Sequence, residues 1–306
     1  MGPVDIHRGL DPVIAELQTA RREWRAAYAR HAEHGIQFPS RRALAKILRQ
    51  LGAALFPLRL GPPELTASNE DAWVAATLES TLSQLGAQVA LELRIGTPGI
   101  SPHDEGIEAE RIVGELAAAL PELRRRLDAD VEAGFANDPA ARSVDEVLLS
   151  YPSLGAIIHH RIAHQLHRSG APLVARVIAQ VAHADTGVDI HPAARIGRSF
   201  FVDHGTGIVI GETAVIGDRV RLYQGVTLGG DPRAVGAPRR GTAGERRHPA
   251  IEDDVVIFPG AVLLGPITIG ARSQIGGNVW LRHDVAPDSI VEATEAATRR
   301  NRPQIA

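Results

Sequence analysis

The spacing of apolar positions divides the chain in two. Up to about residue 185 they recur at three- and four-residue steps. Val13, Ile14, Leu17, Trp24 and Tyr28 make one such series, and Leu78, Leu82, Leu85, Val89 and Leu93 another. Ile112, Leu116 and Leu120 make a third. This is the rhythm of amphipathic helices. Phe38-Pro39-Ser40, Gly61-Pro62-Pro63 and Gly96-Thr97-Pro98-Gly99 punctuate it. Ser40 reads as the N-cap of a helix over 41–51, and 101–106 reads as a loop. Further helices are expected from Tyr151-Pro152 to about 167 and from Pro172 to about 186.

After Gly187 the period becomes six. Ile190, Ile196, Val202, Ile208, Ala214, Val220 and Val226 are spaced by six residues, and so are Ile251, Ile257, Leu263, Ile269, Ile275 and Leu281. Neither a helix nor a two-faced strand has that period; a parallel β-helix does. Each hexapeptide then supplies one short strand and one turn, and three close a triangular coil. The branched residue points to the prism axis, where voids are costly. Four positions on, Ala194, Thr206, Val255, Ala261, Ser273 and Val279 are small or β-branched. Gly197, Gly211, Gly217, Gly270 and Gly276 are expected at turns, where φ > 0 is cheap for glycine. Thirteen steps make a little over four coils. Between Val226 and Ile251 the repeat stops, and a Gly-, Pro- and Arg-rich stretch is expected to leave the prism as a loop.

Composition narrows the function. There are 33 Lys and Arg against 36 Asp and Glu, a net charge of −3, too near neutral for nucleic acid or an anionic membrane as the main partner. With no cysteine, disulfide scaffolds, thiolate metal sites and cysteine nucleophiles are all excluded. No apolar run reaches the ~18 residues of a membrane span, and the start has no signal-peptide core. A cytoplasmic protein is expected.

Asp189, Asp203, His204, Arg247 and His248 are the strongest chemical constellation. Asp189 and His204 are 15 residues apart, near the 18 of one coil, and can meet on neighbouring coils. An imidazole backed by a carboxylate is a general-base arrangement; a surface ion pair fits the same spacing. Arg247-His248 is suited to a substrate carboxylate through a guanidinium fork. With Arg239, Arg240 and Arg246 beside it, a solvated basic loop is the plainer reading of composition. His159, His160, His164 and His167 fall on one expected helix. They lack the intervening Glu of a metalloprotease helix and read as a partly buried face.

Four stretches, Val188-Asp189-Ile190-His191-Pro192, Asp203-His204-Gly205-Thr206-Gly207, Gly225-Val226-Thr227-Leu228-Gly229-Gly230 and Arg247-His248-Pro249, resemble the bacterial serine acetyltransferases over roughly 138–285. The resemblance implies an all-helical N-terminal domain over 1–186. It implies a left-handed parallel β-helix over 187–288 and a tail over 289–306. It implies acetyl transfer from acetyl-CoA to the L-serine hydroxyl for cysteine biosynthesis, with no metal. His204 matches the general base and Asp189 the carboxylate that orients it. Asp138 and Asp203 match the serine-binding carboxylates, and Arg247 and His248 the substrate-gripping pair. Thr227, Gly229 and Gly230 match backbone along the CoA arm.

A homotrimer or dimer of trimers is implied, with L-cysteine as feedback inhibitor. The segment 289–294 departs from the family's CoA-contacting stretch. The chain ends Ile305-Ala306 instead of in Ile, so tight binding to O-acetylserine sulfhydrylase is not expected. Competing readings are a hexapeptide acetyltransferase for another small hydroxyl or amino acceptor, a zinc-dependent carbonic anhydrase on the same prism, and an inactive scaffold.

Overall fold

The structure is a computed structural model describing residues 10–27, 37–97, 99–231 and 246–293. The described residues form eight helices: α1 (Leu10–Ala27), α2 (Arg41–Leu55), α3 (Pro57–Leu60), α4 (Glu70–Gly96), α5 (Pro102–Asn137), α6 (Val144–Ser150), α7 (Pro152–Ser169) and α8 (Pro172–Thr186). α1 belongs to one compact unit and the described residues from Pro39 onward to a second, so helices α2–α8 and the strands share one unit. No residue of α1 is buried. No helix among the described residues is long and apolar enough to cross a membrane.

In the second unit, caps set the helix starts. Ser40 Oγ accepts the Ala43 N–H at 3.3 Å, and Ser101 Oγ accepts the Asp104 N–H at 3.1 Å. The loop expected over 101–106 is therefore the first turn of α5. Pro102 at the first helical position gives up no hydrogen bond, because that N–H has no intrahelical partner anyway. α8 has Ala171 where a capping side chain would stand. Buried Glu92 of α4 replaces it, accepting the Leu173 and Val174 N–H groups at 2.7 Å each. Leu48 and Leu51 of α2, Leu85 of α4, Ile112 and Leu116 of α5, and Ile162 and Leu166 of α7 fill the helical core.

Fourteen short strands follow: β1 (Asp189–Ile190), β2 (Arg195–Ile196), β3 (Phe201–Asp203), β4 (Val209–Ile210), β5 (Val215–Ile216), β6 (Arg221–Tyr223), β7 (Thr227–Gly229), β8 (Ala250–Ile251), β9 (Val256–Ile257), β10 (Val262–Leu264), β11 (Thr268–Ile269), β12 (Gln274–Ile275), β13 (Trp280–Leu281) and β14 (Ile290–Val291). Every third strand stacks in parallel. The three faces are β1-β4-β7-β10-β13, β2-β5-β8-β11 and β3-β6-β9-β12-β14. This is a parallel β-helix of about four turns after a helical part, the architecture the hexad rhythm implies. β14 pairs with β12, so the coil continues to Val291, beyond residue 288 where the tail is expected to start.

The hexad register shifts by two residues in the first coil, and again in the last, where Ile275 pairs with Val291 sixteen on. Ile190 pairs with Ile210, and Val202 with Leu222, each twenty residues on; Ile210 then pairs with Leu228, eighteen on. Two extra residues therefore lie between Val202 and Ile210. Beyond them the strand residues are Ile210, Ile216, Leu222 and Leu228, and Ile208, Ala214, Val220 and Val226 occupy the position two before each. Both sets are buried, so apolar periodicity alone reads straight through the shift. The widened corner holds Asp203, His204 and Gly205.

The repeat glycines also have a different reason from the expected one. Gly197, Gly211, Gly217, Gly270 and Gly276 are not among the positive-φ residues; Ser199, Arg219, Asp254, Arg272, Asn278 and Asp288 take those turn positions instead. Glycine is required by the stacking of coils. A Cβ on Gly197 would stand 2.5 Å from the Gly217 carbonyl oxygen, and one on Gly270 would stand 2.3 Å from Pro287 N.

A buried ion pair fastens the helices to the prism. Asp130 of α5 accepts from Arg161 Nε at 2.6 Å and Nη2 at 2.8 Å, and from the Phe200 N–H at 2.9 Å. Arg161 of α7 also donates to the Gly197 carbonyl at 2.9 Å.

Candidate active site

The widened corner follows β3. His204 adopts φ +58° there, a left-handed conformation uncommon outside glycine but less so for His. Gly205 follows at φ +88°, where a Cβ would meet Val188 Cγ2 at 2.9 Å. The constrained corner leaves the His204 side chain largely exposed, 72 %, while Asp203 beside it is buried. His204 Nε2 lies 3.7 Å from Asp203 Oδ1.

The carboxylate beside His204 is thus Asp203. No hydrogen bond or ion pair joins His204 to Asp189 among the described residues. Asp189 Oδ2 lies instead 4.0 Å from His183 Nδ1. Asp189 does sit one coil from this corner: the Gly187 carbonyl accepts the Gly207 N–H at 2.9 Å. It therefore stands near the right edge, with no side-chain hydrogen bond to His204 among the described residues.

Asp203 also has a cationic partner. Arg221, one coil on from Phe201, donates from Nη2 to Asp203 Oδ2 at 2.6 Å. Its guanidinium lies 4.5 Å from the Tyr223 ring centroid and 5.4 Å from that of Phe201. Its Nε is buried without a partner. Tyr223 in turn stacks on Phe258, centroids 5.4 Å apart. Aromatic faces therefore hold the cation in place from the prism surface. Arg221 stands 18 residues after Asp203, one uninterrupted coil of the hexad count, so that spacing was a signal that could have found it.

Asp138 reaches the same edge from the end of α5, where its N–H caps the Gly134 carbonyl at 3.0 Å. The Tyr151 hydroxyl donates to Asp138 Oδ2, and the Ala140 N–H donates to Oδ1 at 2.8 Å. The Tyr151 hydrogen bond first, then the Ala140 N–H, with smaller contributions from Arg221 and His204, holds the Asp138 carboxyl below its ordinary range. The same bond pushes Tyr151 up to about 12. Tyr151, at the start of α7, is a second residue that the sequence reading missed.

Arg247 and His248 stand at a different edge, between the first and second faces. Thr213 organises them. Its hydroxyl oxygen accepts the Arg247 N–H at 2.8 Å and the His248 N–H at 3.1 Å, and its own N–H donates to His248 Nδ1 at 3.1 Å. An Nδ1 that accepts leaves the neutral ring with its proton on Nε2. Burial first, then the Arg247 charge, pushes the His248 pKa down. The ring lies on Gly211, where a Cβ would fall 2.0 Å from Cδ2. Arg247 pairs with Glu212.

Thr227, Gly229 and Gly230 run along β7 to this edge; a Cβ on Gly230 would stand 3.8 Å from His248 Nε2. Residues 232–245 of the expected loop and 294–306 of the tail, with Ile305-Ala306, lie outside the described residues. The five-residue constellation therefore divides. Asp203 and His204 share one edge with Asp138, Tyr151 and Arg221. Arg247 and His248 occupy another, a prism face away. No group of three His, Asp or Glu side chains among the described residues is placed to hold a metal ion.

No protein-family model matches the sequence. The plasmid serine acetyltransferase of Synechococcus elongatus is 46% identical over 298 residues, 94% of this chain and 91% of that protein. The serine acetyltransferase of Bacillus subtilis is 48% identical over 167 residues, 55% of this chain and 73% of that one. Among solved structures, native serine acetyltransferase 1 of Entamoeba histolytica superposes with a TM-score of 0.70 at 32% identity, covering 85% of this chain and 89% of that chain. Isoform 3 from the same organism, in complex with cysteine, gives 0.67 at 32% identity, covering 84% of each. With this similarity across nearly its whole length, the chain belongs to the serine acetyltransferase family.

Proposed function

We infer that the chain transfers acetyl from acetyl-CoA to the hydroxyl of L-serine, giving O-acetyl-L-serine for cysteine biosynthesis. The observation that carries the reading is the gathering of Asp138, Asp203 and His204 at one prism edge, in a chain whose relatives are serine acetyltransferases. Serine enters as a zwitterion. Asp138 and Asp203 face its ammonium, and Arg221 balances one of the two carboxylates, leaving a single negative charge for a single positive one. His204 takes the hydroxyl proton as the oxygen attacks the thioester carbon. The C–S bond then breaks, and the same imidazole returns the proton to the departing thiolate. Thr227, Gly229 and Gly230 line the CoA arm, and the backbone N–H of Gly230 faces the oxyanion of the tetrahedral intermediate. Arg247, released from Glu212, grips the serine carboxylate with His248 beside it. L-Cysteine, with the same zwitterionic frame, competes at this position as a feedback inhibitor. Asp189 then acts on the His204 edge as a background charge and not as the hydrogen-bonded orienter.

CoA release from acetyl-CoA should require L-serine. A panel of L-serine, L-homoserine, an amino sugar and no acceptor tests this, and equal release with a sugar would overturn the reading.

The separation of His204 from Arg247-His248 supports a homotrimer. The Arg247 edge of one copy completes the His204 edge of the next. His204→Ala and Arg247→Ala chains, each nearly inactive, should recover a measurable fraction of wild-type activity when co-expressed, because mixed assemblies contain intact composite sites. Failure to recover activity in verified mixed assemblies would place both groups of one site in a single chain.

A further inference from the structure

The histidine-rich face of α7 is not used by the acetyl-transfer site, and it lines a separate cavity of about 430 Å³. The walls are α5, α7 and the first coils of the second prism face. That volume falls in the range of small-molecule sites. Leu123, Ile196 and Ile216 make part of it apolar, and four arginines reach it. Two of these are already matched: Arg126 pairs with Glu122 at 3.1 Å and Arg161 with Asp130 at 2.6 Å. Arg168 and Arg195, exposed, make no ion pair among the described residues. Glu122, the cavity's carboxylate, is shared among Arg125, Arg126 and Arg198.

His160 is 95% buried, lines the cavity, and its Nδ1 has no hydrogen-bond partner. A buried N–H without an acceptor is rarer than an unfilled lone pair, so the neutral ring carries its proton on Nε2. Burial keeps this ring neutral. His164, with its ring centroid 5.7 Å away, donates from Nδ1 to the Pro192 carbonyl at 2.8 Å, which fixes its orientation. The cavity thus combines two unmatched guanidinium groups, a buried histidine and an apolar wall.

We propose that this cavity binds a small organic dianion, its two carboxylate or phosphate oxygen sets held by Arg168 and Arg195, with its carbon skeleton on the apolar wall. A bare halide would leave most of the volume unfilled. Two guanidinium forks suit oxygen acceptors spaced along a short chain.

Isothermal titration of the full-length protein tests this with two probes, succinate and glycerol phosphate, at constant ionic strength. At least one should bind saturably, and the tighter one identifies the class. The Arg168→Gln/Arg195→Gln variant should lose at least tenfold in affinity, because two charge-assisted contacts disappear. Its ligand-free thermal midpoint should match wild type, since neither side chain is buried. Arg247→Ala should bind both probes as wild type does, which separates this cavity from the serine-carboxylate site. No saturable binding of either probe up to about 10 mM, near the weak limit of specific recognition, would overturn the proposal. So would unchanged affinity in the double variant, or loss of binding in Arg247→Ala.

Discussion

His204→Ala should lower kcat by ~10²–10⁴ with the fold intact, the usual contribution of a positioned general base. The fold should survive because the side chain is mostly exposed and its ring makes no hydrogen bond among the described residues. The φ of +58° at this residue adds a small strain that Ala tolerates less well than His, so the thermal midpoint should fall slightly. The carboxylate variants then separate two roles. Asp203 Oδ1 is 3.7 Å from His204 Nε2, whereas the Asp189 carboxylate makes no hydrogen bond or ion pair to His204 among the described residues. Asp203→Asn should therefore reduce kcat/KM for serine more than Asp189→Asn does. It should also leave Arg221 without its charge partner. Steady-state kinetics on both substrates check this. Near-wild-type kcat in His204→Ala would remove His204 as the base, and a larger loss in Asp189→Asn would restore Asp189 as its orienter.

Asp130→Ala should destabilise the protein by about 3–5 kcal/mol, the range for removing one member of a buried pair. The Asp130 side chain is fully buried and that of Arg161 nearly so, at 0% and 4% exposure. Removing the carboxylate strands the guanidinium and leaves the Phe200 N–H without its acceptor. Burial pushes the Asp130 carboxyl up, against the opposing pull of Arg161 and that N–H. The pair is consequently a specific joint more than a large net gain in stability. Replacing both members, as Asp130→Leu/Arg161→Met, should recover much of the loss, since an apolar pair has no desolvation penalty. Phe200 directly precedes β3, so catalysis should suffer in Asp130→Ala as well. Chemical denaturation at fixed protein concentration measures the first effect. A loss below about 1 kcal/mol, the scale of an exposed pair, would show that water enters the joint.

The sequence by itself determined the division into helices and hexapeptide coils, because both are written in short-range periods of apolar residues. It also singled out the candidate site residues. Asp138, Asp203, His204, Arg247 and His248 stand in local motifs that carry the family resemblance. The start of α5 was misread because Ser101-Pro102 is both a loop signal and a helix start, and only the Ser101–Asp104 bond decides between them.

What remained belonged to pairings between coils. The two-residue shift after Val202 is invisible to hydropathy, since the shifted positions are equally buried. Only the pairing of Ile190 with Ile210 exposes it. That shift sets Tyr223 opposite Asp203 and Arg221 opposite Phe201, and the side-chain geometry puts Asp203, and not Asp189, beside His204. It is also the stacking of one coil on another, at a distance too short for a Cβ, that makes the repeat glycines necessary. Residues 16 to 35 apart in sequence meet in this prism, and no local pattern specifies which side chain then finds which partner.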